Sequence, residues 1–93
     1  MTDTKKAVVT VLGFDRKGII AKVSAALYEF DANILDISQT VVSGLFSMVL
    51  IADVSSPACD FSALGERLAE LGKELGLQIR IQRSEIFEAM HQI

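Results

Sequence analysis

The stretch NILDISQTVVSGLFSMVLIADV, residues 33–54, decides the fold, because it contains two strands and the turn between them. Its first half, residues 33–43, mixes polar and apolar residues at roughly period two, as an edge strand with one wetter face does. Ser43-Gly44 is typical of a tight turn. Residues 45–54 form a near-continuous apolar run, which favours a more central strand. The two halves therefore predict a β-hairpin in the middle of the chain.

A helix is predicted on each side of this hairpin. Before it, apolar residues recur at helical spacing from residue 19 to residue 30, and Asp31 breaks the pattern. After it, residues 61–75 repeat phenylalanine and leucine every three or four positions. Asp60 is placed to cap this second helix, and Gly76 is placed to end it. The hairpin is thus flanked by two amphipathic helices.

The outermost segments complete a sheet. Residues 6–12 are β-branched and nearly all apolar, and residues 77–83 alternate strictly between apolar and polar. The order β-α-β-β-α-β, with right-handed crossovers, builds a ferredoxin-like α+β sandwich with two helices on one face of a four-stranded antiparallel sheet. Strands one and three should be central, and strands two and four should be the edges. Ser84 is placed to cap a short C-terminal helix over residues 85–93.

Length and composition indicate one small domain over residues 1–93. A chain of this size buries about 60–65% of its unfolded surface, so self-association would add to a modest stability. The formal net charge of −3 argues against nucleic acid as a partner, since nucleic-acid binding needs a concentrated basic surface. The single cysteine, Cys59, rules out an intrachain disulfide and a multi-cysteine metal site. We expect no metal and no cofactor.

The most hydrophobic stretch, residues 45–54, is too short to span a bilayer as a helix. The amino terminus also lacks the apolar run of a signal peptide, because charged residues start at Asp3. These features predict a cytoplasmic protein with no membrane partner.

The third strand should carry apolar side chains on both faces of the sheet, although helices can cover only one. Leu45, Val49 and Ile51 are expected on one face, and Phe46, Met48 and Leu50 on the other. An uncovered apolar face of that kind is unusual for a monomer. The C-terminal helix could cover it, but two edge strands are also available for pairing, so we favour a homodimer or a higher homo-oligomer.

Residues 13–20 join the first strand to the first helix and allow three interpretations. In a purely structural one, Gly13 permits the turn, Asp15 caps the helix, and Gly18 lets the helix start pack closely on the sheet. In a second, the first-turn amides hold the carboxylate of a ligand whose ammonium group is met by Asp15 or Asn33. Asn33 should lie at the other end of the helix, so a subunit interface could be needed to bring it to one ligand. In a third, the GxxxxG spacing holds a nucleotide phosphate, but the required Lys-Ser/Thr pair is replaced by Ile19 and Ile20.

Residues 15–34, DRKGIIAKVSAALYEFDANI, resemble the signature of the ACT domain, a regulatory module that typically binds amino acids. That signature runs Asp-Arg-Pro-Gly, two aliphatic residues, a helix, and Asn-Ile at the start of the second strand. The matching positions are Asp15, Arg16, Gly18, Ile19, Ile20, Asn33 and Ile34. Lys17 replaces the usual proline, which removes rigidity from the loop and adds a backbone donor. Residues 36–42 and 86–93 are also similar to small stand-alone ACT proteins of bacteria and archaea without an assigned function.

The resemblance implies a ferredoxin-like fold, self-association and effector binding at the junction of the first strand and the first helix. We expect these seven positions to bind an amino acid or a similar small zwitterion near a subunit interface, with an enzyme or regulator as the partner that responds. It does not imply a particular ligand. Some ACT domains serve only for oligomerisation, so an assembly or interaction scaffold without a small-molecule ligand is the alternative. Gln39 on the second strand could line a polar ligand pocket, although a solvated edge is the simpler interpretation.

No set of residues suited to catalysis can be assembled from the sequence. His91 is the single histidine, and no pair of carboxylates has a spacing that forces the two together. Other proteins share the ferredoxin-like fold, but the predicted first strand has no aromatic residue for RNA binding, the third has only Phe46, and the CxxC of a metallochaperone is missing. We therefore expect a regulatory module rather than an enzyme.

Overall fold

A computed structural model describes residues 5–84, and these contain six elements in the predicted order. The strands are β1 (Lys6–Phe14), β2 (Asn33–Val42), β3 (Leu45–Asp53) and β4 (Gln78–Arg83), and the helices are α1 (Ile19–Glu29) and α2 (Phe61–Leu75). The sheet is antiparallel with the order β2-β3-β1-β4, so β1 and β3 are central and β2 and β4 are edges. The ferredoxin-like α+β fold is therefore confirmed. The predicted C-terminal helix lies outside the described residues.

The hairpin turns at Ser43-Gly44, as predicted. Ser43 has a φ of 52° and Gly44 a φ of 80°, so both central residues are left-handed, as a type I′ turn requires. The pairing of β2 with β3 shifts register between Ile34 and Asp36. This β-bulge places Leu35 outside the regular pairing and changes which side chains of β2 face the helices.

The core lies between the sheet and the two helices. On β3, alternate side chains are buried on the helix side, namely Phe46, Met48, Leu50 and Ala52. Leu27 of α1 and Leu64 of α2 are fully buried in the same cluster. Each helix therefore contributes one apolar stripe, as the spacing predicts. Within residues 5–84, neither helix has the length and apolar character needed to cross a membrane.

The end of α2 lies very close to Leu77, the residue just before β4. A Cβ atom at Gly72 would come within 2.7 Å of the carbonyl oxygen of Leu77. At Gly13, it would come within 2.4 Å of Leu77 Cδ2 and 3.3 Å of the Gly76 oxygen. Gly13 is paired with Phe46 inside β1, so the prediction that Gly13 permits a turn was wrong. Its lack of a side chain instead lets β1 pass beneath the end of α2.

The opposite face of the sheet, which we call the open face, carries the remaining side chains of the strands. Leu45 and Val49 lie there and are 45% and 39% exposed, which confirms that β3 is apolar on both sides. Leu12 and Phe14 of β1 pair with Ser47 and Leu45, and the Phe14 side chain is 79% exposed. Because paired residues point to the same side, these apolar groups share one surface.

Candidate functional site

The segment between β1 and α1 is tied to the β2–β3 turn. The backbone N–H of Asp15 donates to the carbonyl oxygen of Gly44 at 2.8 Å. Gly18 is the N-cap residue of α1, with φ 85° and ψ 5°. The first backbone bond of the helix runs from the N–H of Lys22 to the carbonyl oxygen of Gly18 at 2.9 Å. The N–H groups of the three residues between Gly18 and Lys22 therefore precede the intrahelical ladder.

No side chain caps α1 in the part of the chain that the structure describes. The prediction that Asp15 caps this helix was wrong, because capping is done by the N-cap residue and that residue is Gly18. Asp15 lies three positions earlier, where its backbone is held by the hairpin turn. Its carboxylate therefore does not occupy the first-turn amides of α1.

Gly18 is required by its backbone conformation and not by close packing. The nearest atom to a Cβ built at Gly18 would be Lys22 Cε, at 4.0 Å. The space beside Gly18 is thus open, and the prediction that it lets the helix start pack tightly on the sheet was wrong. The left-handed φ is the feature that favours glycine there.

A groove of about 440 Å³ lies beside the start of α1, and we call it the α1 groove. One wall comes from the loop and the first turn: Asp15, Arg16, Gly18, Ile19, Ile20 and Ala21. The other wall comes from the strands: Gln39, Val41 and Phe46. Gln39 pairs with Met48 and Val41 with Phe46, so these two residues of β2 face the helix side of the sheet. Because α1 does not cover this part of β2, Val41 remains 50% exposed.

The structure brings five of the seven predicted positions together in this groove: Asp15, Arg16, Gly18, Ile19 and Ile20. Asn33 and Ile34 lie elsewhere. Asn33 pairs with Asp53 and Ile34 with Ala52, at the other end of β2 from the groove. Helix α1 has 11 residues and is therefore about 16 Å long, which separates its two ends. Within one chain, Asn33 cannot share a small ligand with Asp15, as the sequence indicated.

Ala21, Val41 and Phe46 line the groove but were not predicted, and Gln39 was assigned to a solvated edge. The β-bulge near Leu35 decides which residues of β2 face the helices, and no pattern in the sequence predicts this bulge. The one feature of the sequence that could have indicated this wall of the groove is Val41, an apolar residue on a predicted edge strand. Val41 faces the helix side of the sheet but is not covered by α1.

Arg16 lines the α1 groove and also contacts the end of α2. Its Nη1 donates to the carbonyl oxygen of Leu75 at 3.3 Å, at the carboxyl end of α2. A cation at this end of a helix is favourable, because the last carbonyl groups carry partial negative charge. Arg16 therefore links the loop that forms the groove to the end of the other helix.

The groove combines two kinds of group. The amides at the start of α1 present partial positive charge, and the Asp15 carboxylate lies on the same wall. A molecule that carries one carboxylate and one ammonium group can use both. Within residues 5–84, no three side chains of the metal-binding types cluster in a way that could hold a metal ion.

Two groups with shifted pKa values lie outside this groove. Hydrogen bonds from the Ser55 hydroxyl and the Ser55 backbone N–H lower the pKa of Asp53, and the charge of Lys6 lowers it further. Burial raises the pKa of the Cys59 thiol, and the nearby carboxylates of Asp31 and Asp60 add to this effect. A thiol that resists ionisation is a poor nucleophile, so Cys59 is not suited to nucleophilic chemistry.

Known proteins share both the sequence and the shape of this chain. The model of the ACT domain family matches residues 5–82. The UPF0237 protein MJ1558 of Methanocaldococcus jannaschii is 47% identical over 88 residues, which cover 95% of this chain and 98% of that protein. The structure of an ACT domain protein from Streptococcus pneumoniae superposes with a TM-score of 0.79 at 38% identity, covering 92% of this chain and 97% of that one. The ligand-free regulatory subunit of aspartate kinase from Thermus thermophilus gives a TM-score of 0.65 at 26% identity, over 88% of this chain and 53% of that one.

Proposed function

The chain belongs to the ACT domain family, and we propose that it is a regulatory module that binds an amino acid or a similar small zwitterion in the α1 groove. The observation that carries this proposal is the uncapped first turn of α1, which opens onto a groove that also contains a carboxylate. The role is regulatory and not enzymatic.

The carboxylate of the ligand binds at the start of α1. Gly18, Ile19 and Ile20 line the groove, and their N–H groups precede the first intrahelical bond. An anion at this position interacts favourably with the helix dipole. Such an interaction contributes about 0.3–1 kcal/mol at an exposed site and up to about 2 kcal/mol in a partly buried one. It therefore selects for an anion but needs further contacts to give useful affinity.

Those further contacts come from the remaining groups of the groove. Asp15 accepts hydrogen bonds from the ligand ammonium group, and Gln39 offers an amide on the opposite wall. Ile20, Val41 and Phe46 provide an apolar surface for the ligand side chain. A ligand with a short or medium apolar side chain fits this division into a charged end and an apolar end.

Asn33 and Ile34 join a binding site only if a second copy of the chain provides them. The edge strand β2 and the apolar open face both favour self-association. We therefore include a homodimer in the proposal, with ligand binding near the subunit interface and an enzyme or regulator that responds to the bound state.

The alternative function is assembly without a small-molecule ligand. It is favoured by the open face, where Leu12, Phe14, Leu45 and Val49 are exposed together. Such a scaffold would form a dimer or larger species in solution, and amino acids would not change its stability.

Thermal unfolding in the presence of each of the twenty amino acids, followed by titration calorimetry, separates the two functions. At a ligand concentration one hundred times the dissociation constant, the free energy of unfolding should rise by about 2.7 kcal/mol. The N-acetylated and carboxyl-amidated forms of the same amino acid are the matched controls, because each lacks one of the two charges. If no amino acid changes the unfolding temperature and the protein is oligomeric, assembly is the function instead.

A further inference from the structure

The outer edge of β4 is a second surface with the character of a binding site. In the order β2-β3-β1-β4, β4 pairs with β1 and with no other strand of residues 5–84. Its outward-facing N–H and C=O groups are therefore open to another extended chain. Gln78, Arg80 and Arg83 of this strand are exposed.

A hollow of about 500 Å³ lies beside this edge, between α2 and the first half of β4. On the α2 side, Ala69, Gly72 and Gly76 have little or no side chain, and Lys73 lines the hollow beside them. Because side chains of an extended chain alternate between two faces, a strand added at β4 would point every second side chain toward this hollow. Leu77 and Ile79 lie beside these small residues, so this part of the hollow suits an apolar side chain.

The charged residues that line the hollow are of one sign. Lys73 and Arg80 are the two charged residues that line the hollow, and both are basic, although the chain has a formal net charge of −3. Neither forms an ion pair with another of the described residues. Glu66 lies seven residues before Lys73 on α2 and does not line the hollow. Farther along β4, the Arg83 guanidinium lies 4.9 Å from the centre of the Phe61 ring, which keeps a third cation near the edge.

The other edge of the sheet differs. Asp36 is the single charged residue in the sequence of β2, and several of its apolar residues are exposed. An apolar edge of this kind suits a second copy of the chain, whereas the basic edge of β4 would repel a copy of itself. From this contrast we infer that the β4 edge binds an extended segment of another protein in which acidic and apolar residues alternate. Backbone pairing provides the affinity, and the cations and the hollow provide the selection.

The test is a titration of the full-length, ¹⁵N-labelled protein with two synthetic peptides. One alternates glutamate and valine over eight residues, the other alternates lysine and valine, and both have blocked ends. The glutamate peptide should shift the backbone amide signals of Gln78–Arg83, with a dissociation constant of about 1 mM or tighter. The lysine peptide should leave them in place.

A double charge reversal, Lys73→Glu with Arg80→Glu, should weaken binding of the glutamate peptide by about tenfold and allow the lysine peptide to bind. The matched control reverses two exposed lysines elsewhere, Lys17→Glu with Lys22→Glu, and keeps the same net charge. Its affinity for the glutamate peptide should equal that of the natural protein at 0.15 M salt, where distant charges are screened.

Several results would overturn the inference. They are no shift with the glutamate peptide at millimolar concentration, equal binding of both peptides, or shifts centred on β2. Movement of the β4 amide signals on dilution of the protein alone would show that a second copy already occupies the edge. Each of these outcomes can be read from the unmodified protein, so the test does not depend on the variants being folded.

Discussion

The two helices of this protein begin in opposite ways. At the start of α2, the Asp60 carboxylate accepts a hydrogen bond from the Ala63 N–H at 3.1 Å. At the start of α1, Gly18 takes the same N-cap position without any side chain to offer. The loop before α2 also contains side-chain hydrogen bonds from Ser55 and Ser56, whereas Asp15 is held through its backbone.

The two helices also differ in how they cover the sheet. The chain turns back on the end of α2 so closely at Leu77, just before β4, that Gly72 has no space for a methyl group. Helix α1 leaves the helix-side residues Gln39 and Val41 of β2 open to the α1 groove. The start of α2 is thus capped by its own side chain, whereas the start of α1 keeps unsatisfied amides next to a groove. We interpret the second arrangement as a site for a ligand, and the predictions below test the difference.

The largest effect is expected where α2 meets β4. Gly72→Ala should lower the free energy of unfolding by about 1–3 kcal/mol, because the new methyl group would overlap the Leu77 carbonyl. Gly65 is the matched control, since its Cβ would lie an ordinary 3.5 Å from Ile81. Gly65→Ala should raise stability by about 0.5–1 kcal/mol through helix propensity. Urea unfolding measures both, and equal effects of the two substitutions would contradict the close packing.

The next effect concerns the left-handed glycines. Gly18→Ala and Gly76→Ala should each lower the free energy of unfolding by about 1–2 kcal/mol, because both residues have a positive φ. The space around both residues is open, so a packing clash adds nothing to this cost. Only the Gly18 change should also weaken binding of an amino acid, since Gly76 does not line the α1 groove. Calorimetric titration of both folded variants measures this. An equal loss of affinity in the two variants would contradict a specific role of Gly18 in binding, because it would follow from the loss of stability that both share.

A smaller effect separates the two aspartates that precede the helices. Asp60→Ala should lower the free energy of unfolding by about 1 kcal/mol, because it removes the cap of α2. Asp15→Ala should change stability by less than about 0.5 kcal/mol, as expected for an exposed residue that caps nothing, yet it should reduce amino-acid affinity. A loss of stability in Asp15→Ala as large as that in Asp60→Ala would mean that α1 is capped after all.

The smallest effect is a pH dependence of the free energy of unfolding, which comes from Asp53 at the end of β3. The pKa of Asp53 is lowered in the folded protein, chiefly by the Ser55 hydroxyl and N–H. Its stabilising contribution is therefore present above the unfolded pKa of about 3.9 and is lost as the pH falls through the lower folded value. The stability gap between the natural protein and Asp53→Asn should shrink in that acidic range. Ser55→Ala should make the pKa of Asp53, followed by NMR, rise toward its ordinary value. An unchanged pKa would contradict the role of Ser55.

The sequence predicted the fold because its signals are local. The alternation of residues 77–83, the helical spacing of residues 61–75 and the Ser43-Gly44 turn each depend on neighbouring residues. Asp60 and Gly76 were placed correctly at the ends of α2 for the same reason. With these elements in order, right-handed crossovers leave few other arrangements.

The site was predicted in part, since its other features depend on contacts between distant segments. The role of Gly13 comes from Leu77, which lies far away in the sequence. The inclusion of Gln39 and Val41 depends on the register of β2 against β3. The absence of an Asp15 cap depends on the left-handed conformation of Gly18. None of these can be read from spacing along the chain.

The most direct test of the central claim is to follow the backbone amide signals of both helix starts during titration with amino acids. We expect the signals of residues 18–21 to move with one amino acid or a small group of them, in a saturable way. The signals of Ser62 and Ala63, at the capped start of α2, should stay in place. If the amides of residues 18–21 do not respond to any of the twenty, the open end of α1 is not a ligand site.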